Sequence, residues 1–203
     1  MICYTVGHSK LLAEEFIRLI AAQRITCLAD VRSTPYSEFS PQFNQSTLKA
    51  SLASSKISYE YLGDLLGGRY TNEALLFDDG VVNYSKVACT PQYEKGLASL
   101  LTLIQTAGNV AVMCSEKEPG QCHRAIMIGR SLAARHVDVK HILQDGQLLS
   151  QSDLEEQLLK KYCNDYQSDD LFAKKTDRAE AVARAYELCN RKIAYTHKQK
   201  ELQ

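Results

Sequence analysis

The chain has 203 residues, of which 45% are hydrophobic, so it suits one domain, or one domain with an added arm, rather than a disordered polymer. Because 24 basic residues balance 24 acidic ones, net charge gives no reason to expect binding to nucleic acid or to a membrane. The seven cysteines are an odd number, and no leader or membrane-length apolar run is visible, so we expect reduced thiols and a cytoplasmic location.

Strands and helices alternate along most of the sequence. Apolar runs that stop at turn signals predict strands at residues 2–6, 26–31, 58–62, 110–113 and 137–143. Apolar residues at helical spacing predict helices between them, and the first helix carries Leu12, Phe16 and Ile20 on one stripe. This alternation predicts an α/β fold, with a mostly parallel sheet of about five strands and helices on both faces.

The chain divides into two predicted parts. Residues 1–150 are expected to form the α/β domain, with a polar insertion around 63–90, and residues 151–203 a C-terminal helical extension. The apolar stripe of that extension, which includes Tyr186, needs a surface to pack on, either the domain or a partner. Residues 174–203 carry eight basic and four acidic side chains, a net charge of +4, which predicts a solvated helix face or, as the alternative, a contact with phosphate backbone.

Polar and reactive side chains lie at the ends of several predicted strands. In chain order these residues are His8, Ser9, Asp30, Arg32, Tyr61, Gly63, Cys114 and Glu116, with His141 as a further candidate. Because the carboxyl ends of parallel strands meet at one edge of a sheet, we expect these side chains to gather there and form a pocket. Asp30 is expected to be structural and to orient Arg32.

The stretch 110–124 joins a buried strand to a loop crowded with reactive groups. The strand ends at Cys114, and a helix opens at Cys122 and His123, where free backbone N–H groups favour a thiolate. Neighbouring helical residues point about 100° apart, so Cys122 and His123 are not expected to share one ion easily. The cysteine spacing also differs from that of structural zinc sites. A metal site using Cys114, Cys122 or His123 is therefore the minor interpretation, and no cofactor is assigned.

The arginines of the loops predict an anion site. Arg32 follows a strand, Arg69 follows a glycine-rich turn, and Arg124 lies where the predicted helix opens. Guanidinium groups and a helix opening both bind phosphate and carboxylate. A phosphatase loop would require an arginine six positions after its cysteine, and Gly120 and Ile128 stand there instead. The predicted pocket therefore binds anions without that particular loop.

Four stretches together carry a resemblance to a known family. They are TVGHS at 5–9, LADVRS at 28–33 with PQFN at 41–44, LGGR at 66–69, and MCSEKEPGQCHR at 113–124. Residues 170–172, 185–186 and 193–195 fit the same pattern. The chain thus resembles the family catalogued as domain of unknown function 488. The resemblance implies an α/β fold and a shared polar pocket, with a loose association with nucleotide or nucleic-acid processing, and it supplies no reaction.

We therefore expect an enzyme that acts on an anionic, nucleotide-like or nucleic-acid-derived substrate. Cys114 is expected to be the reactive thiolate, and His123 or His8 the proton carrier. Glu116 is expected to act as an acid–base or orienting carboxylate. The predicted substrate-binding residues are Arg32, Arg69, Arg124, Ser9, Ser33, Asn44 and Tyr61.

Two alternatives stay open at this point. One is a non-catalytic module that binds nucleic acid through the same arginines and the basic tail, and the other is a metal-binding protein. No membrane partner is predicted. The sequence does not determine the substrate, the reacting cysteine or the oligomeric state.

Overall fold

A six-stranded sheet forms the centre of the computed structural model, which describes residues 1–164 and 177–197. The strands are β1 (Ile2–Gly7), β2 (Cys27–Asp30), β3 (Ser58–Tyr61), β4 (Val110–Cys114), β5 (Asp138–Ile142) and β6 (Leu148–Ser150). Their order is β3-β2-β4-β1-β5-β6, and every neighbouring pair is parallel except β5 and β6. The predicted α/β fold is confirmed, and β6 is an antiparallel edge strand that the sequence pattern did not predict.

Helices cover both faces of this sheet. They are α1 (Ala13–Ala22), α2 (Gln45–Ser54), α3 (Gly63–Leu66), α4 (Tyr84–Ala88), α5 (Pro91–Thr106), α6 (Arg130–Ala133), α7 (Gln151–Tyr162) and α8 (Arg178–Ile193). Short 3₁₀ turns occur at Pro41–Phe43, Glu73–Leu75 and Pro119–Gln121, and a π-helical turn at Arg124–Gly129 runs directly into α6. No helix among the described residues combines the length and the apolar character that crossing a membrane requires.

The sheet separates two hydrophobic cores. On one face, α1 and α2 contribute Phe16, Ile20 and Leu52, which are fully buried. The larger core, on the other face, includes residues of α5, the π-helical turn, α7 and α8. Leu12, which was predicted on the buried stripe of α1, is 64% exposed; the helix begins at Ala13, and Leu12 is the N-cap residue that precedes it.

The segment at 63–90, which was expected to be a polar insertion, contributes apolar side chains to the hydrophobic core. Leu66, Val82 and Val87 belong to the larger core and are fully buried. The side chain of Asn190 on α8 connects this segment to the C-terminal helix, since it accepts from the Tyr84 backbone N–H and donates to the Val82 carbonyl, both at 2.8 Å. The described part of the C-terminal extension therefore packs on the same chain. The basic residues at 174–175 and 198–200, and the resembling stretch at 170–172, lie outside the described residues.

The loops that follow β1, β2 and β4 begin next to one another at the carboxyl edge of the sheet. Gly7 at the end of β1 pairs with Cys114 at the end of β4. Beyond the strands, the His8 N–H donates to the Cys114 carbonyl at 3.1 Å, and the Val31 N–H donates to the Met113 carbonyl at 3.1 Å. The residues that follow β1, β2 and β4 therefore start from adjacent positions, as expected for a parallel sheet.

Candidate functional site

A polar cavity of about 190 Å³ opens at this edge of the sheet. Its reactive wall contains Cys114, Glu116, Cys122 and His123. Arg32, Ser33 and Arg69 line it from the other loops, and Tyr195, just after α8, also contributes to its surface. Tyr84 completes the lining, so the cavity joins residues from five separate parts of the sequence.

The four reactive side chains form one compact group, named here the reactive cluster: Cys114, Glu116, Cys122 and His123. The Sγ atoms of Cys114 and Cys122 lie 3.6 and 3.9 Å from His123 Nδ1. The Cys122 thiol also donates to Glu116 Oε2 at 2.9 Å. One N, O or S atom from each residue lies within 4.8 Å of those of the others, and Glu116 is the exposed member.

Local backbone geometry explains why two successive side chains converge. Alternation along β4 turns Cys114 and Val112 to the same face of the sheet. Cys122 has φ −140° and ψ 139°, an extended conformation, and helical torsion angles begin only at His123. The expectation that Cys122 and His123 diverge by about 100° is therefore wrong, because Cys122 precedes the helix instead of belonging to it.

The imidazole ring of His123 is fixed on two sides. Its Nε2 lies 3.1 Å from the Val31 carbonyl oxygen, at the end of β2. Gly68 packs against the ring so closely that a Cβ atom there would lie 2.9 Å from His123 Cγ. Because a carbonyl only accepts, Nε2 carries the proton that it donates, and Nδ1 is the ring atom that faces both sulfur atoms.

The two thiols differ in their tendency to ionise. Burial opposes ionisation of Cys122, but the contact with Cys114 and the positive charges of Arg124 and His123 lower its pKa well below the usual thiol value. Burial and the neighbouring Cys122 raise the pKa of Cys114. Glu116 is exposed as a whole residue, but desolvation of its carboxylate against the cluster, followed by the charge of Cys122, raises its pKa. These directions favour Cys122 over Cys114, the residue that the sequence suggested, as the thiolate.

Arg32 reaches the cavity but is held by a buried carboxylate. Its Nη2 and Nε atoms donate to Asp30 at 2.6 and 2.9 Å, and Nη2 also donates to the Phe43 carbonyl at 2.8 Å. Asp30 is fully buried, and Arg32 is 5% exposed. The ion pair sets the position of the guanidinium, which is the orienting role expected for Asp30, and most of the Arg32 charge is already neutralised.

Arg69 is the exposed cation of the cavity. Its side chain is exposed, and its guanidinium carbon lies 5.6 Å from the centre of the Tyr195 ring. Among the ion pairs of the described residues, none involves Arg69. Its backbone N–H donates to Ser33 Oγ at 3.1 Å, which fixes the start of the side chain and leaves the charge free to meet a ligand.

Arg124 lies beneath the cavity and not in its lining. It is fully buried, and its guanidinium donates to the carbonyl oxygens of Glu116 at 2.7 Å and Lys117 at 3.0 Å. These bonds hold the loop that follows β4 in place. Its position supports a structural role, so we do not include Arg124 among the groups proposed to contact an anion.

His8 and Ser9 lie next to the cavity wall without lining it. The His8 ring stacks on Phe43 with centroids 4.1 Å apart, and its Nδ1 lies 2.9 Å from the Ser9 carbonyl. Its Nε2 faces Arg32 Nη1 at 3.4 Å. Burial, and then the charge of Arg32, lower the pKa of His8 to about 4. His8 therefore supports the Arg32 guanidinium, and His123 is the better placed proton carrier.

Asn44 and Tyr61 are also placed outside the cavity lining. Asn44 Oδ1 accepts from the Ser37 N–H at 2.7 Å, which closes the loop after β2. The Tyr61 hydroxyl donates to Asp64 at 3.3 Å. In contrast, Gly68 and Tyr195 line the cavity but were not predicted as site residues. Both lie in stretches that carried the family resemblance, which was the only sequence feature that pointed to them.

A comparison with known families supports the resemblance over part of its predicted span. A family model described as "Domain of unknown function DUF488" matches residues 12–130, which is more than half of the chain. The match includes the reactive cluster, Arg32 and Arg69 and excludes the stretch at 5–9 and the C-terminal extension. No curated protein and no solved structure matches the chain.

Proposed function

The chain belongs to the DUF488 family, and we propose that it is an enzyme whose reacting centre is the reactive cluster. The proposed reaction is a hydrolysis or group transfer on a small anionic group, held between that cluster and Arg69. The orientation of His123 is the observation that carries this proposal, because its Nδ1 faces two thiols at 3.6 and 3.9 Å in a cavity wall. A histidine that only supported the fold would not need both sulfur atoms at the same nitrogen.

The size of the cavity supports a small reacting group. A cavity of about 190 Å³ has room for a phosphate or carboxylate group, and it is smaller than the roughly 300–1,000 Å³ of sites that enclose drug-sized ligands. A larger substrate, such as a nucleotide, would extend past Arg69 and Tyr195 into solvent. The proposed substrate class is therefore defined by its anionic end.

The charges at the cavity support an anion at its open side. Arg69 forms no ion pair among the described residues, and Arg32 keeps its Nη1 atom turned away from Asp30 and towards His8. A guanidinium donates two parallel hydrogen bonds to a carboxylate or phosphate. Arg69 is consequently the proposed anchor of the substrate, and Arg32 a weaker second contact.

The alternative, a nucleic-acid-binding module, requires basic side chains that are available to phosphate. In the described part of the basic tail, two arginines are already paired with carboxylates. Arg178 pairs with Glu156, and Arg191 pairs with Asp79 and Glu187. These charges are already partly balanced within the chain. We therefore keep nucleic acid as a source of the anionic group and not as the basis of the proposed function.

Cysteine labelling with a matched pair of reagents tests the site without a known substrate. Iodoacetate is anionic and iodoacetamide neutral, and each replaces iodide with a cysteine sulfur. Trypsin places Cys114 in the peptide 96–117, Cys122 in 118–124 and the exposed Cys89 in 87–95, so each labelling rate is measured separately.

We expect metal-free, reduced protein to prefer iodoacetate at Cys114 or Cys122, relative to the preference at Cys89. Arg69→Ala should reduce this preference several-fold and leave Cys89 unchanged, because the guanidinium lies at the cavity. An iodoacetate preference equal at all three cysteines, or unaffected by Arg69→Ala, would contradict the proposed anion site.

A further inference from the structure

We propose that the reactive cluster is a metal centre, in which Cys114, Cys122 and His123 bind a divalent ion of the zinc type and Glu116 stands beside its open position. This inference rests on the proposed function, since it assigns the reacting group of the same cavity. If it is correct, the enzyme is metal-assisted and does not use a cysteine as its nucleophile. The two sulfur atoms then act as ligands, and the open position of the ion meets the substrate.

The distances between the donor atoms agree with a tetrahedral ion. Zinc lies about 2.3 Å from sulfur and about 2.0–2.1 Å from nitrogen, so the sulfur–nitrogen edge of a tetrahedral site is roughly 3.6 Å. The corresponding distances from His123 Nδ1 are 3.6 Å to Cys114 and 3.9 Å to Cys122. All four donor atoms lie within 4.8 Å of one another. The two sulfur–nitrogen distances thus lie within about 0.3 Å of the tetrahedral edge.

The ring of His123 already has the orientation of a metal ligand. Histidine ligands in proteins usually donate their second ring N–H to a backbone carbonyl or a carboxylate, which fixes both the tautomer and the ring plane. His123 Nε2 lies 3.1 Å from the Val31 carbonyl oxygen, and Gly68 packs against the Cγ–Nδ1 part of the ring. Nδ1, the nitrogen available to an ion, therefore already faces the cluster.

Burial distinguishes three ligands from the fourth residue. Cys114 and Cys122 are 4% and 1% exposed, and His123 is 8% exposed, whereas Glu116 is an exposed residue. Structural zinc sites enclose the ion with four protein ligands, and catalytic sites leave one position for water or substrate. Three buried ligands in the wall of a cavity match the second arrangement. The carboxylate of Glu116 is then placed to exchange a proton with a water bound at the open position.

The sequence spacing does not oppose this assignment. The short cysteine pairs of structural zinc sites place two ligands on one turn, whereas here Cys114 ends a strand and Cys122 ends a 3₁₀ turn. The two residues are brought together by the loop that Arg124 holds through the carbonyls of Glu116 and Lys117. The ligand set is therefore assembled by the fold and not by a local motif.

Metal analysis of wild-type protein tests the inference. Protein expressed without a histidine tag and purified without chelator should contain about one equivalent of metal per chain by plasma mass spectrometry. Cys122→Ser and His123→Asn should lose most of it, and Cys89→Ser, which changes an exposed cysteine outside the cavity, should retain it.

Cobalt(II) titration of the reduced wild-type chain provides a second readout that needs no variant to fold. We expect thiolate-to-cobalt charge-transfer absorption that saturates at one equivalent, together with protection of Cys114 and Cys122 from iodoacetate. Absence of both stoichiometric metal and this absorption would overturn the inference. So would a Cys114–Cys122 disulfide as the stable form of the purified protein, detected as the loss of two hydrogens in the intact mass.

The two proposals fail in different ways. If metal-free protein retains its iodoacetate preference but binds neither metal nor cobalt, the anion-binding enzyme stands and the metal centre does not. If the cluster binds metal but shows no preference that depends on Arg69, the substrate assignment is wrong and the metal centre stands.

Discussion

His123 and Val31 are joined by a hydrogen bond of 3.1 Å between the imidazole Nε2 and a backbone carbonyl. This bond connects the loop after β4 to the end of β2, two neighbouring strands. It also determines which ring nitrogen faces the two thiols. A single backbone acceptor thus couples the sheet to the chemistry proposed for the cavity.

Substitution of Gly68 should disturb His123 directly. A Cβ atom at this position would lie 2.9 Å from Cγ and 3.1 Å from Nδ1 of the ring, and the bond to Val31 opposes movement of the ring. We expect Gly68→Ala to reduce the free energy of unfolding by about 1–3 kcal/mol and to weaken cobalt binding at least several-fold. Urea unfolding and cobalt titration measure the two effects. Gly120→Ala is the control, because its Cβ would only touch Leu154 at 3.4 Å; equal effects of the two substitutions would argue against a special role for Gly68.

The two cavity arginines should respond differently to mutation. Asp30→Ala removes the partner of a buried guanidinium and should cost about 3–5 kcal/mol of unfolding free energy, because Arg32 is left buried and unpaired. Arg69→Ala should change the unfolding free energy by less than about 0.5 kcal/mol, as for most exposed side chains. Chemical denaturation of both variants tests this contrast. A destabilisation by Arg69→Ala as large as that by Asp30→Ala would mean that Arg69 supports the fold.

A buried histidine should make stability depend on pH. His141 is fully buried, its Nδ1 lies 2.8 Å from Thr5 Oγ1, and burial followed by the charge of Arg124 lowers its pKa to about 3. Between its usual pKa near 6.5 and this value, the unfolded chain binds the proton and the folded chain does not. Stability is therefore complete above about pH 6.5 and falls as the pH drops towards 3.

The size of this pH effect is measurable by urea unfolding. From pH 6.5 to pH 5, the contribution of His141 should be a loss of roughly 2 kcal/mol, at about 1.4 kcal/mol per pH unit. His141→Gln should have a lower unfolding free energy at neutral pH. Between pH 6.5 and pH 5, the decrease in its unfolding free energy should be smaller than that of the wild type by roughly 2 kcal/mol. His8, whose pKa is also lowered, keeps its own contribution in both proteins and so cancels in the comparison. A variant with the same pH slope as the wild type would refute the assignment.

Asn190 should anchor the C-terminal helix to the segment beside the cavity. It is 3% exposed and bonds the Tyr84 N–H and the Val82 carbonyl. Asn190→Ala leaves two backbone groups without their partner, at a cost of about 1–3 kcal/mol for each one that stays buried. The measurement is the urea midpoint, with Arg184→Ala on the exposed side of α8 as control. A midpoint no lower than that of the control would show that water replaces Asn190 without cost.

The fold was predictable from the sequence because its determinants are local. Apolar strands that stop at turn signals and apolar stripes at helical spacing are visible residue by residue, and parallel topology then brings His8, Arg32 and Cys114 to one edge. The edge strand β6 was missed because Leu148–Ser150 is short and half-exposed, so it carries little apolar pattern.

The site was only partly predictable because its geometry depends on single torsion angles and on burial. The sequence of residues 121–124 does not indicate that the Cys122 backbone is extended. Its extended φ and ψ angles nevertheless place Cys122 Sγ 3.9 Å from His123 Nδ1. Likewise, Arg69 and Arg124 look equivalent in sequence, although one is exposed at the cavity and the other is fully buried. Tyr195 reaches the cavity only through the packing of α8.

Turnover of a panel of small phosphate and carboxylate esters, assayed with zinc-loaded and metal-free protein, is the most direct test that the reactive cluster is an active site. The account predicts that at least one ester is hydrolysed, that Cys122→Ser and His123→Asn each lower the rate by roughly 100-fold or more, and that Cys89→Ser leaves it unchanged. Hydrolysis that persists at the wild-type rate in both cluster variants would contradict it.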